Sequence, residues 1–218
     1  MSEAHVARAH QFDTAEQQRE AGTLGMWVFL ATEILFFGGM FAVYTIYRSA
    51  YPDVFAIASR SLDIKWGTIN TGVLICSSLT MAMAVYCSAT GKQKWIAPFL
   101  ILTIILGLAF LGIKSIEYYQ KFAEHHIPGQ AGFHLEGTDA RSAQIFFCLY
   151  FAMTGLHALH MIIGIGIVST IAYMAWKGKF TPAYNAPVEI TGLYWHFVDI
   201  VWIFLYPLLY LIGRHLEH

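Results

Sequence analysis

Five stretches of this chain, each longer than twenty residues, run almost without charge: residues 24–47, 68–89, 95–116, 142–176 and 190–212. A helix needs about 20 mostly apolar residues, at ~1.5 Å each, to cross the hydrocarbon core of a bilayer. Inside lipid every backbone N–H and C=O must bond within its own segment or barrel, and stretches of this length do so as helices. The predicted fold is therefore all-α, a polytopic transmembrane bundle of five helices over residues 24–213, preceded by a polar segment, 1–23. Composition agrees: 57% of residues are hydrophobic and 12% charged, where soluble domains carry about a quarter charged.

The few polar positions inside these stretches are individually informative. The first holds a single charge, Glu33. The second has none, and the third carries Lys114 near its end. The fourth is uncharged and longer than a bilayer requires, so it is expected to tilt or project. The fifth contains His196, Asp199 and Pro207, and a proline there predicts a kink. The connections 48–65, 91–94, 117–141 and 177–187 are polar.

Five crossings put the termini on opposite sides. The positive-inside rule barely separates them. Arg8, Arg19, Lys92, Lys94, Lys177 and Lys179 fall on one side, and Arg48, Arg60, Lys65, Lys121, Arg141 and Arg214 on the other. The lysine pairs in short loops lean towards a cytoplasmic N-terminus and a periplasmic C-terminus. Residues 1–23 lack the basic start and short apolar core of a signal peptide, so the first apolar run is expected to remain as a spanning helix. A net charge of −1 points to no nucleic-acid partner. Cys76, Cys87 and Cys148 sit in apolar runs and read as packing thiols.

Glu33 lies about nine residues into its run, roughly 14 Å deep. A lone carboxylate there is costly if ionised. It reads equally as a proton-handling group or as an acid that anchors helix packing. His157 and His160, three apart, share a helix face. Such a pair can bind a metal, although hydrogen bonds to neighbouring helices are the commoner use. Gly155, Gly164 and Gly166 nearby permit close helix approach. His196 and Asp199 are again three apart, with Asp199 at a depth similar to Glu33. A polar cluster of Glu33, His157, His160, His196 and Asp199 inside the bundle is therefore geometrically possible, and no metal site is assigned to it. Glu124, His125, His126, His134, Glu136 and Asp139 could bind a divalent ion, but a solvated loop is the simpler reading. The chain has no phosphate-cradling Gly-rich loop, no C-x-x-C-H and no G-x-S-x-G, and no catalytic residue is assigned.

Residues 25–39, GMWVFLATEILFFGG, resemble the first shared helix of subunit III of the haem–copper terminal oxidases. Gly155-x-His157-x-x-His160 and Trp195-His196-Phe197-Val198-Asp199-x-x-Trp202 are similar to two later signatures of that family, and Glu117-Tyr118 to a helix-end motif. The resemblance runs from about Leu24 to the C-terminus and corresponds to the five-helix form. It implies a chain without haem or copper of its own, packed on subunit I, which carries those groups. It further implies contact with other oxidase subunits, phospholipid held between helices, support of proton uptake and protection during turnover. The implied location is the bacterial cytoplasmic membrane, the first helix entering from the cytoplasmic side. Glu33 matches the family's buried carboxylate, and Trp195 and Trp202 its packing signature. Thr32-Glu33 with Phe36-Phe37 resembles the cytochrome c oxidase branch. A quinol oxidase subunit III and a nitric oxide reductase accessory protein are alternatives within the family. An independent proton or ion transporter and a metal-dependent membrane enzyme are alternatives outside it.

Overall fold

The computed structural model describes residues 12–124, 128, 140–182 and 184–211. Among the described residues there are six α-helices: α1 (Ala15–Ala50), α2 (Pro52–Arg60), α3 (Ile64–Ala89), α4 (Gln93–Ala123), α5 (Ala140–Trp176) and α6 (Ala186–Tyr206). Five of them, all but α2, are long and apolar enough to cross a membrane.

Local chemistry accounts for the starts of α1, α2 and α3. Thr14 caps α1 by accepting from the Gln17 N–H at 3.0 Å, and the Gln17 side chain accepts in return from the Asp13 N–H at 2.8 Å. This reciprocal cap starts α1 well before the apolar run, inside the polar segment. Asp63 caps α3 through the Lys65 N–H. Pro52 opens α2 at a first-turn position, where its missing N–H costs nothing. That proline is the local signal for a helix the apolar pattern could not reveal, because α2 is too short to span. Between α3 and α4 the chain reverses at Gly91, whose φ of 74° a side chain would strain.

Helix α6 ends at Tyr206, immediately before Pro207. The chain continues from there as a π-helical turn, Pro207–Leu211. The tail of the fifth predicted span, at residue 212, lies outside the described residues.

The bundle is centred on α6, which packs against α1, α3 and α5. In its most apolar stretch 56% of the residues are buried, against 11% in α1. The core is aromatic: Trp195, Trp202, Phe110, Phe146, Phe147 and Tyr150 are all fully buried. Helix α2 folds back at one end, where Phe55 packs edge-on against Tyr44 and Phe146 with centroids 5.3 and 5.4 Å apart. At the opposite end Arg19 of α1 pairs with Glu189 of α6 at 3.0 Å, so these two helices start on the same side.

Candidate functional site

Glu33 projects from α1 towards α5, and its Oε2 lies 3.2 Å from Nε2 of His160. The His160 Nδ1 lies 2.9 Å from the Leu156 carbonyl oxygen. A carbonyl only accepts, so Nδ1 carries the proton there. Nε2 is left facing the Glu33 carboxyl oxygen. Phe37 packs edge-on to the ring at 5.4 Å and shields one side of it. Both side chains keep some exposure, 19% for Glu33 and 13% for His160, so the pair lies at the bundle surface and not in its core.

His157 takes another direction. Three residues along an α-helix turn a side chain by about 60°. That is enough for His160 to face α1 while His157 enters the core beside Phe110 and Trp202, at centroid distances of 5.4 and 5.2 Å. Neither ring nitrogen of His157 has a hydrogen-bond partner among the described residues. His196 turns to α3, where Nδ1 lies 2.8 Å from Ser78 Oγ. Asp199 is 3% exposed, and neither carboxylate oxygen has a partner among the described residues. Ser78 is its polar neighbour, but stands beyond hydrogen-bonding geometry to both oxygens. The five polar residues are thus not gathered into one cluster. The structure divides them into the pair Glu33–His160, an aromatic-boxed His157, and a His196–Ser78 contact beside Asp199.

A second buried polar centre lies at the far end of α4. Lys114 Nζ donates to Glu117 Oε2 at 3.1 Å, to Tyr210 Oη at 2.7 Å and to Tyr150 Oη at 3.2 Å. Tyr150 and Tyr210 each donate to Glu117 Oε1, Tyr150 at 2.7 Å. Lys114 also lies over the Trp202 ring, 5.0 Å from its centroid. Tyr118, next to Glu117, turns aside to Thr154 at 2.5 Å. Lys114-x-x-Glu117 is spaced for an intrahelical pair, a signal legible in the sequence that the motif Glu117-Tyr118 alone does not express. The tyrosine partners come from α5 and the π-helical turn, and no local pattern points to them.

Among the described residues no three His, Cys, Asp or Glu side chains converge as metal ligands would. Of the outer-loop group, His125, His126, His134, Glu136 and Asp139 lie outside the described residues. Glu124 pairs with Lys121 at 2.6 Å.

The fold and these sites define an all-α integral membrane protein whose buried polar groups are held between helices. The family model described as cytochrome c oxidase subunit III matches residues 2–214. The chain is 30% identical to quinol oxidase subunit 3 of Bacillus subtilis, covering 96% of this chain and 97% of that one. It is 30% identical to a probable cytochrome c oxidase subunit 3 of Nocardia farcinica, covering 87% of each. It is 28% identical to cytochrome bo(3) ubiquinol oxidase subunit 3 of Buchnera aphidicola, covering 91% of this chain and 97% of that one. The chain belongs to the cytochrome c oxidase subunit III family.

Proposed function

We propose that this chain is the non-redox subunit III of an aerobic terminal oxidase of the cytochrome c type, packed on the subunit that holds haem and copper. Family membership over nearly the whole chain supports this. Within the reading, the Glu33–His160 pair at the bundle surface supports proton uptake by the partner. The single observation that carries this role is the Nδ1 contact to the Leu156 carbonyl, which leaves Nε2 to the Glu33 carboxyl. The N-terminus is cytoplasmic, and the membrane is the bacterial cytoplasmic membrane. An apolar groove of about 410 Å³ between α1 and α6, lined by residues such as Trp27, Ile34, Phe41 and Phe204, suits a phospholipid acyl chain.

The test is Glu33→Ala in the assembled complex. Oxygen consumption is expected to start near the wild-type rate and to decay in fewer turnovers, with the haem spectrum unchanged. A variant that assembles and matches wild type over many turnovers would reduce Glu33 to a packing anchor.

A quinol oxidase is the second reading, favoured by relatives named quinol oxidase subunit 3. Oxidation of reduced cytochrome c against a quinol by the purified complex separates the two.

A further inference from the structure

The α3–α4 and α5–α6 turns, at the Arg19–Glu189 end of the bundle, are joined to each other. Gln93, the first residue of α4, donates to the Phe180 carbonyl at 2.6 Å, and Gly91 lies against Pro182. Lysines crowd this junction. Lys92 and Lys94 stand on either side of Gln93, and Lys177 and Lys179 just precede Phe180; all four are exposed. No acidic residue occurs between residues 64 and 116 or between 140 and 188, so neither turn has a counter-charge of its own. Among the described residues none of the four ammonium groups has an ion-pair partner. The nearby acid of α6, Glu189, is taken by Arg19.

Each lysine pair stands beside a pair of aromatic rings at the end of the spanning helices. Tyr86, Trp95, Tyr173 and Trp176 are each more than half exposed. Lys92 Nζ lies over the Tyr86 ring, 5.2 Å from its centroid, and Lys177 Nζ over Tyr173 at 5.6 Å. Exposed Trp and Tyr rings at a helix end mark the headgroup level of a bilayer, with the ring in the acyl boundary and the polar tip wet. The ammonium groups therefore stand at the depth of lipid phosphates. Lysines in short loops are common on one side of membrane proteins. Here the contact between the turns draws two such pairs into one patch of uncompensated positive charge, which attracts anionic lipid about five-fold for each lysine.

We propose that the joined α3–α4 and α5–α6 turns bind the phosphate of an anionic phospholipid, held by Lys92, Lys94, Lys177 and Lys179 beside the aromatic rings. The charge selects the headgroup, and the exposed rings beneath it receive the start of the acyl chains. This site depends on the spanning helices alone, not on assembly into an oxidase, so either reading can fail without the other.

The full chain, purified with its bound partners, is placed in phosphatidylcholine vesicles holding a trace of phosphatidylglycerol with a photoreactive diazirine beside its phosphate. A phosphatidylcholine probe of the same design is the reference, and labelled peptides are identified by mass spectrometry. Peptides covering 86–95 and 173–180 are expected to take up phosphatidylglycerol in preference to phosphatidylcholine. Lys92→Gln with Lys94→Gln, or Lys177→Gln with Lys179→Gln, is expected to lower that preference about five-fold or more. Arginine at all four positions is expected to keep it, and Lys65→Gln, at the other end of α3, to leave it unchanged. Equal labelling of wild type by the two lipids, a preference that survives glutamine at all four positions, or one lost equally with arginine overturns the site. Loss of the preference when sodium phosphate replaces sodium chloride at the same ionic strength assigns the patch to free phosphate and overturns the lipid as its occupant.

Discussion

Lys114 is 4% exposed and Glu117 2%, so their charges are satisfied by one another and by Tyr150, Tyr210 and the Trp202 face, not by water. Removing one ion of a buried pair leaves the other uncompensated and costs about 3–5 kcal/mol, whereas replacing both with apolar groups of similar size is often near neutral. Lys114→Ala is therefore expected to lower stability strongly. The double variant Lys114→Met with Glu117→Leu is expected to recover part of the loss, because the buried Tyr150 and Tyr210 hydroxyls lose Glu117 as acceptor. Thermal unfolding of the single and double variants in detergent reads the difference, and additive losses would rule out the coupling. Residue spacing alone pairs Lys114 with Glu117. It is silent on the two tyrosines, which arrive from 33 and 93 residues away.

At the scale of helices, Trp195 packs against two glycines on neighbouring helices. A Cβ on Gly107 of α4 would come within 2.9 Å of its ring, and one on Gly164 of α5 within 3.2 Å. Backbones approach closely there because no side chain intervenes. Gly107→Ala is expected to cost about 1–3 kcal/mol through overpacking. Gly39→Ala on α1, where an added Cβ meets nothing within 4 Å, is expected to be neutral or mildly stabilising. Denaturation followed by tryptophan fluorescence checks both. Of the three glycines the sequence marks for close approach, Gly164 alone has such a contact. Gly166 faces open space, and Gly155 has only Tyr118 Oη at 3.9 Å. Periodicity cannot sort them, because which glycine meets a neighbour depends on how α5 is rotated within the bundle.

Across the whole molecule the connections fall into two opposing faces. On one, Arg19 pairs with Glu189, Gln93 donates to the Phe180 carbonyl at 2.6 Å, and Gly91 lies against Pro182. On the other, Lys121 donates to the Ser61 carbonyl at 2.7 Å beside α2. With the first face cytoplasmic, a membrane-impermeant maleimide added to spheroplasts is expected to label Lys65→Cys and to spare Lys177→Cys, in a background lacking Cys76, Cys87 and Cys148. The reverse pattern would invert the proposed topology. Helix α1, the least buried of the five long helices, is held by α6 and α5 along one side only, and its outer face is left to lipid or to a partner.

The five apolar runs by themselves determined that the chain is all-α, how many helices are long enough to span, and that Glu33 and Asp199 lie inside two of those helices. Lipid leaves the backbone no other way to satisfy its hydrogen bonds, so length and hydrophobicity suffice for those conclusions. The motifs also carried the family. Partnership was decided only in three dimensions. Glu33 found His160 and not His157, His196 found Ser78, and Asp199 found no donor on α3. Those outcomes depend on the rotation and register of one helix against another. Both follow from packing between helices, such as that of Trp195 against Gly107 and Gly164, and neither is written in the periodicity of any single helix.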